Sequence, residues 1–138
     1  MITYANIINN IIGKVANIIG DEMSIPITFD SHKGNHSILI VPQEDNLIDL
    51  LAQGQSREYS ILISYELTTG GNMSENTFKQ LSNTAEHIKR LFAPDNNADV
   101  SSYWIAGKIE NVTYERDEDE TKIRALITFN CIYVESTS

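Results

Sequence analysis

Residues 56–94 constrain the fold of this chain more than any other stretch. Tyr59, Ile61, Ile63, Tyr65 and Leu67 alternate with Ser60, Leu62, Ser64 and Glu66. A period of two puts one apolar face on a core and leaves a mostly polar face wet or paired elsewhere. A turn with Gly70 and Gly71 follows, and the period then changes. Phe78, Leu81, Ala85, Ile88 and Phe92 step by three and four, the spacing of one helix face. Ser74 is a suitable N-cap and Glu75 sits at the positive end of the helix dipole. Lys89 and Arg90 fall in the last turn, and Pro94 closes the helix. A strand with one dry face, followed by an amphipathic helix, requires more strands beside it and a helix lying on top.

The remaining chain supplies them. Ile7, Ile8, Ile11, Ile12, Val15, Ile18 and Ile19 predict a helix over residues 3–19, with Gly20 as its C-terminal cap. So many β-branched residues make a poor helix in isolation, so this one must dock on its own sheet or on a neighbouring subunit. Residues 25–29 read as a short strand that Pro26 confines to an edge or a strand start. Residues 37–41 read as a second strand, ended by Pro42, with Gly34 and Asn35 in the turn between; a hairpin is the simplest pairing. Residues 43–55 are ambiguous: Leu47, Ile48, Leu50 and Leu51 suit a short helical turn or an irregular loop in a long excursion. A long, bent strand over 102–115, with a bulge near Gly107, leads to an acidic hairpin tip. The last strand, 122–135, is apolar on both faces, so it belongs at the centre of the sheet or under a partner.

The order α-β-β-β-α-β-β has no βαβ rhythm and no internal repeat. It predicts an α+β fold: a mostly antiparallel sheet of about five strands with two helices packed on one face. A length of 138 residues suits a single domain, 1–138.

Charge and composition exclude several functions. The net charge of −9 disfavours binding to a nucleic-acid backbone or an anionic membrane surface. It remains compatible with DNA that must slide past without sticking. Cys131, the single cysteine, lies in an apolar alternating run and reads as a buried, inert thiol. No apolar run approaches a membrane span, and the N-terminus, interrupted by asparagines and Lys14, does not read as a signal peptide.

No motif marks out a catalytic or cofactor site. His32 and His36 are four apart but flank Gly34 in a turn, without a third ligand nearby in sequence; His87 is an ordinary surface histidine. Gly70-Gly71 lacks the lysine and Ser/Thr of a phosphate loop. Neither an enzyme, a metal nor a cofactor is expected. The tip residues Glu115, Asp117, Glu118, Asp119 and Glu120 lack calcium-loop spacing. They read as a solvated hairpin, with an acidic rim or lumen lining as the functional alternative. Trp104 reads either as an interface anchor or as a core aromatic.

The whole chain resembles the tail terminator, or tail-completion, proteins of long-tailed bacteriophages. The likeness runs through the amphipathic N-terminal helix, Ser37-Ile38-Leu39-Ile40-Val41-Pro42, Gln55-Ser56-Arg57-Glu58-Tyr59-Ser60-Ile61-Leu62-Ile63-Ser64-Tyr65, Ala85-Glu86-His87-Ile88, the strand opening at Trp104, and Phe129-Asn130-Cys131. The resemblance implies a virion structural protein that forms a ring, commonly a hexamer, on the tail tube. Such a ring ends tube polymerisation and provides the joint to the head or neck. It implies partners in a second copy, the tube protein and a head-closure or neck protein, with DNA only as passing cargo. The expected location is the head-proximal end of the tail, after assembly in the host cytoplasm. Candidate subunit or partner contacts are Ile8, Ile12, Trp104, Ile132 and Val134. A head-closure or neck connector of the same virion and a non-viral binding module are the alternatives.

Overall fold

A computed structural model describes residues 7–52, 54–69, 75–93, 104, 106–118 and 121–136, with the side chains of residues 7–9 and 135–136 left out. Five strands form one sheet: β1 (Ile27–Thr28), β2 (His36–Leu51), β3 (Gly54–Thr68), β4 (Lys108–Arg116) and β5 (Lys122–Ser136). Their spatial order is β1-β2-β3-β5-β4, antiparallel except where β1 meets β2. Two helical elements accompany the sheet. A π-helical segment, Ile7–Ile12, runs into helix α1 (Gly13–Glu22), and α2 spans Glu75–Leu91. The architecture is the predicted α+β one.

The alternation in β3 is what builds the core. Tyr59, Ile61, Ile63 and Tyr65 are buried, and β5 opposes them with Phe129, Ile127 and Ala125 in an unbroken antiparallel register. Ile38 and Ile40 of β2 extend the same face. Ile11, Ile12, Val15 and Ile19 from the N-terminal helix and Leu81, Ala85 and Ile88 from α2 close over it. Each buried isoleucine contributes roughly 1.5–3 kcal/mol relative to exposure, which outweighs the weak helix propensity of the first element. Strand β5 lies inside the sheet between β3 and β4, the central place its two apolar faces predicted.

Several expectations need correction. The first helix does not stop at Gly20 but runs to Glu22, where the Met23 N–H donates to the Ile19 carbonyl. Strands β1 and β2 do not form a hairpin: they pair in parallel, Ile27 with Ile38 and Thr28 with Leu39. The chain between them crosses the far face of the sheet, where the His32 ring reaches Ser37 Oγ (2.7 Å) and Ser64 Oγ (2.9 Å). That anchor turns the chain before β2 begins. Strand β2 also ignores Pro42 and continues to Leu51. Proline is tolerated on an edge strand or at a bulge, and both conditions hold: β1 covers only Ile38 and Leu39, and the register slips between Pro42 and Glu44. Strand β4 starts at Lys108, not at residue 102, and its bulge falls between Ile109 and Asn111, just beyond Gly107. Ser102, Tyr103, Ile105, the proposed cap Ser74 and the Gly70-Gly71 turn lie outside the described residues.

Candidate functional site

Residues 43–55 form a projecting arm instead of a loop or helical turn. The far half of β2 pairs with the start of β3, from Glu44 opposite Ser60 to Leu51 opposite Gly54. The end of β5 flanks β3 on its other side, from Ile132 opposite Glu58 to Ser136 opposite Gly54. The arm therefore has three strands, and its β2 edge is unpaired among the described residues. Leu47, Ile48, Leu50 and Leu51 are all exposed, Leu50 by 72%, and Val134 joins them from β5. By register, Leu47 and Leu50 oppose Arg57 and Gln55 on the helix-side face; Leu51 and Val134 belong to the other. Apolar residues on both faces of one projecting element are the mark of a contact surface. Glu44, Asp45 and Asp49 stand among them, and Arg57 Nε binds Asp45 Oδ1 at 2.6 Å.

A second apolar surface lies at the other end of the sheet. Phe78 and Leu81 of α2 and Tyr114, Glu115 and Arg116 of β4 line a shallow groove of about 220 Å³. The helical step predicts Phe78 buried with the rest of its helix face, yet it is 43% exposed, and Tyr114 beside it is 53% exposed. Leu81, Ala85, Ile88 and Phe92 are buried as expected. The first turn of α2 thus overhangs the edge strand and leaves its apolar face to solvent.

The open face of the sheet carries a polar network. Arg124 donates to Glu66 Oε2 (2.7 Å), Glu115 Oε1 (3.0 Å) and Asp117 Oδ1 (2.9 Å). Partial burial works against the guanidinium charge, but Asp117 and Glu66 more than offset it and raise the Arg124 pKa. Glu66 itself is only 5% exposed. His32 sits beside this cluster. Burial above all, together with the charges of Arg124 and Lys122, lowers its pKa; the Glu66 carboxylate opposes the shift. The arrangement is that of a satisfied structural network. Ser64 is 3% exposed and Ser37 1%, so neither hydroxyl presents itself to a substrate.

The candidates from sequence are placed as follows. Ile12 and Trp104 are spent inside the chain's own core, 1% and 4% exposed, and offer a neighbour no surface. Trp104 packs edge-on against Phe129 with ring centroids 5.0 Å apart. The side chain of Ile8 lies outside the described residues. Ile132 is half-buried and Val134 exposed, both on the open-face side of the arm. Glu115 and Asp117 are not a free acidic rim, because both bind Arg124. Glu118 is exposed; Asp119 and Glu120 lie outside the described residues. Sequence reasoning missed the arm, although four aliphatic residues beyond a proline were its signal. Among the described residues no three His, Cys, Asp or Glu side chains gather as a metal site, and no helix is long and apolar enough to cross a membrane.

No protein-family model matches the sequence, and no curated protein matches it. Among solved structures, a chain from the virion of a native gene transfer agent particle is similar over 88% of this chain and 84% of that one. The TM-score is 0.54 at 13% identity. At that identity the shared property is the fold, and it spans nearly the whole length of both chains.

Proposed function

We propose that the chain is a structural component of a virion and acts as a tail terminator. In this reading it forms a ring, a hexamer, on the head-proximal end of the tail tube. The ring stops tube growth and joins the tail to a head-closure or neck protein. The observation that carries the reading is the end-to-end fold likeness to a virion chain, in company with an order of elements that resembles tail terminators. The projecting apolar arm supports it, since a ring subunit must offer surface to its neighbours. The net charge of −9 also supports it, because an acidic ring lets DNA pass as cargo without adhering. The role is architectural rather than catalytic, and assembly takes place in the host cytoplasm.

The test combines the purified chain with polymerising tail tubes under the electron microscope, alongside native mass measurement. The expected result is a ring at one tube end, tubes of limited length and a six-fold mass. Tubes that grow without limit in the presence of excess protein would sink the terminator role.

A further inference from the structure

We infer that the arm of one copy docks in the α2–β4 groove of the next, making the ring contact heterologous. The inference rests on the ring reading above and names the surfaces that would close it. The chain carries both an apolar projection and an apolar groove, and it cannot bring its own two together. The groove residue Tyr114 pairs with Ala125, whereas the arm tip lies eleven residues further along β5, where Ser136 meets Gly54. At roughly 3.3 Å per residue the two are about 35 Å apart on one rigid sheet.

The flanking charges match the two surfaces to each other. Asp49 shares the face of Leu51 and Val134 near the end of the arm, and Arg116 lines the groove beside Tyr114, where the neighbouring Glu115 is already bound by Arg124. Neither makes an ion pair with any described residue. An acidic arm is repelled by nucleic acid and by anionic lipid, so its apolar residues point to a protein surface with a cation at its rim. A second copy of this chain supplies that surface. Two different patches meeting head to tail generate a ring when the rotation closes.

Two substitutions on solvent-exposed positions test the contact without touching the core: Leu51→Asp on the arm and Tyr114→Asp in the groove. Each variant alone is expected to remain monomeric by native mass spectrometry and light scattering, with the thermal midpoint of wild type. An equimolar mixture is expected to form 1:1 heterodimers and nothing larger, since each pair retains one intact arm and one intact groove. Separately, Asp49→Arg or Arg116→Asp should weaken self-association by at least ~10-fold, and both changes in one chain should restore most of it. Variants that assemble like wild type would overturn the arm–groove contact while leaving the ring reading in place. A mixture that stays monomeric would also overturn it. A wild-type chain that stays monomeric at high concentration would overturn the ring reading and this contact with it.

Discussion

Gly107 lies directly against the indole of Trp104: a Cβ added there would sit 2.5 Å from Trp104 Nε1 and 2.8 Å from Phe129 Cζ. Those rings are not free to retreat. Phe129 is also packed against Phe92, with centroids 4.9 Å apart. The missing side chain at 107 is therefore the seat of the aromatic cluster. Gly107→Ala should destabilise the fold by about 1–3 kcal/mol through overpacking, and lower the thermal midpoint by roughly 3–10 °C. Trp104 is the only tryptophan, so its fluorescence reports the shift directly. An unchanged midpoint and emission spectrum would show that the rings can yield.

The Arg124 cluster predicts an asymmetry between single and double variants. Arg124→Met removes the nearest cation from Glu66, whose side chain is 7% exposed, and leaves Lys122 Nζ at 3.9 Å. Stranding a mostly buried carboxylate should cost about 2–4 kcal/mol in urea denaturation. Adding Glu66→Gln should recover part of that loss, because the uncompensated charge is gone. A double variant less stable than Arg124→Met would refute this account.

His32 should give the fold a pH dependence on the acid side of neutrality. Its pKa in the folded chain lies below the ordinary value of 6.5, chiefly because of burial, with Arg124 and Lys122 adding to the shift and Glu66 opposing it. The unfolded chain therefore binds the proton more readily. The stabilisation is fully present above about pH 6.5 and is lost as the pH falls through the folded pKa. His32→Gln should flatten the stability profile as the pH falls below about 6.5 relative to wild type. Equal slopes for the two proteins in that window would rule His32 out as the source.

Cys131 should behave as a core side chain. It is fully buried, and burial, with a smaller push from Glu58, moves its thiol up to about 12. Thiol reagents at pH 8 should label the folded protein only at the rate at which it opens, and label it fully in denaturant. Rapid stoichiometric labelling of the native chain would contradict its position under the helices.

What was legible in the sequence was local periodicity, and what was not was tertiary choice. The β3 alternation, the buried steps Leu81, Ala85 and Ile88, and the interior place of β5 all follow from patterns of two and of three to four. The parallel pairing of β1 with β2 does not, because the connection between them is met by a contact distant in sequence, His32 with Ser64, thirty-two residues away. Pro42 read as a stop because its N–H is missing, but an edge strand has no use for that N–H where β1 has already ended. Ile12 reads as a contact and Trp104 as either a contact or a core aromatic, because both are apolar; only the fold shows that the same chain covers them. Phe78 fits the helical step of its buried neighbours, yet it lines the open groove with Tyr114 of the edge strand.

The arm stands apart from the helix-covered core, so its sequence can drift without endangering the fold. Leu47, Ile48, Leu50 and Leu51 contribute little to the stability of the body they extend from. Selection can therefore retune partner choice at these positions, one residue at a time, while the isoleucine-rich interior stays as it is. Related chains should accordingly diverge fastest along the far half of β2, in step with changes in whatever surface the arm meets.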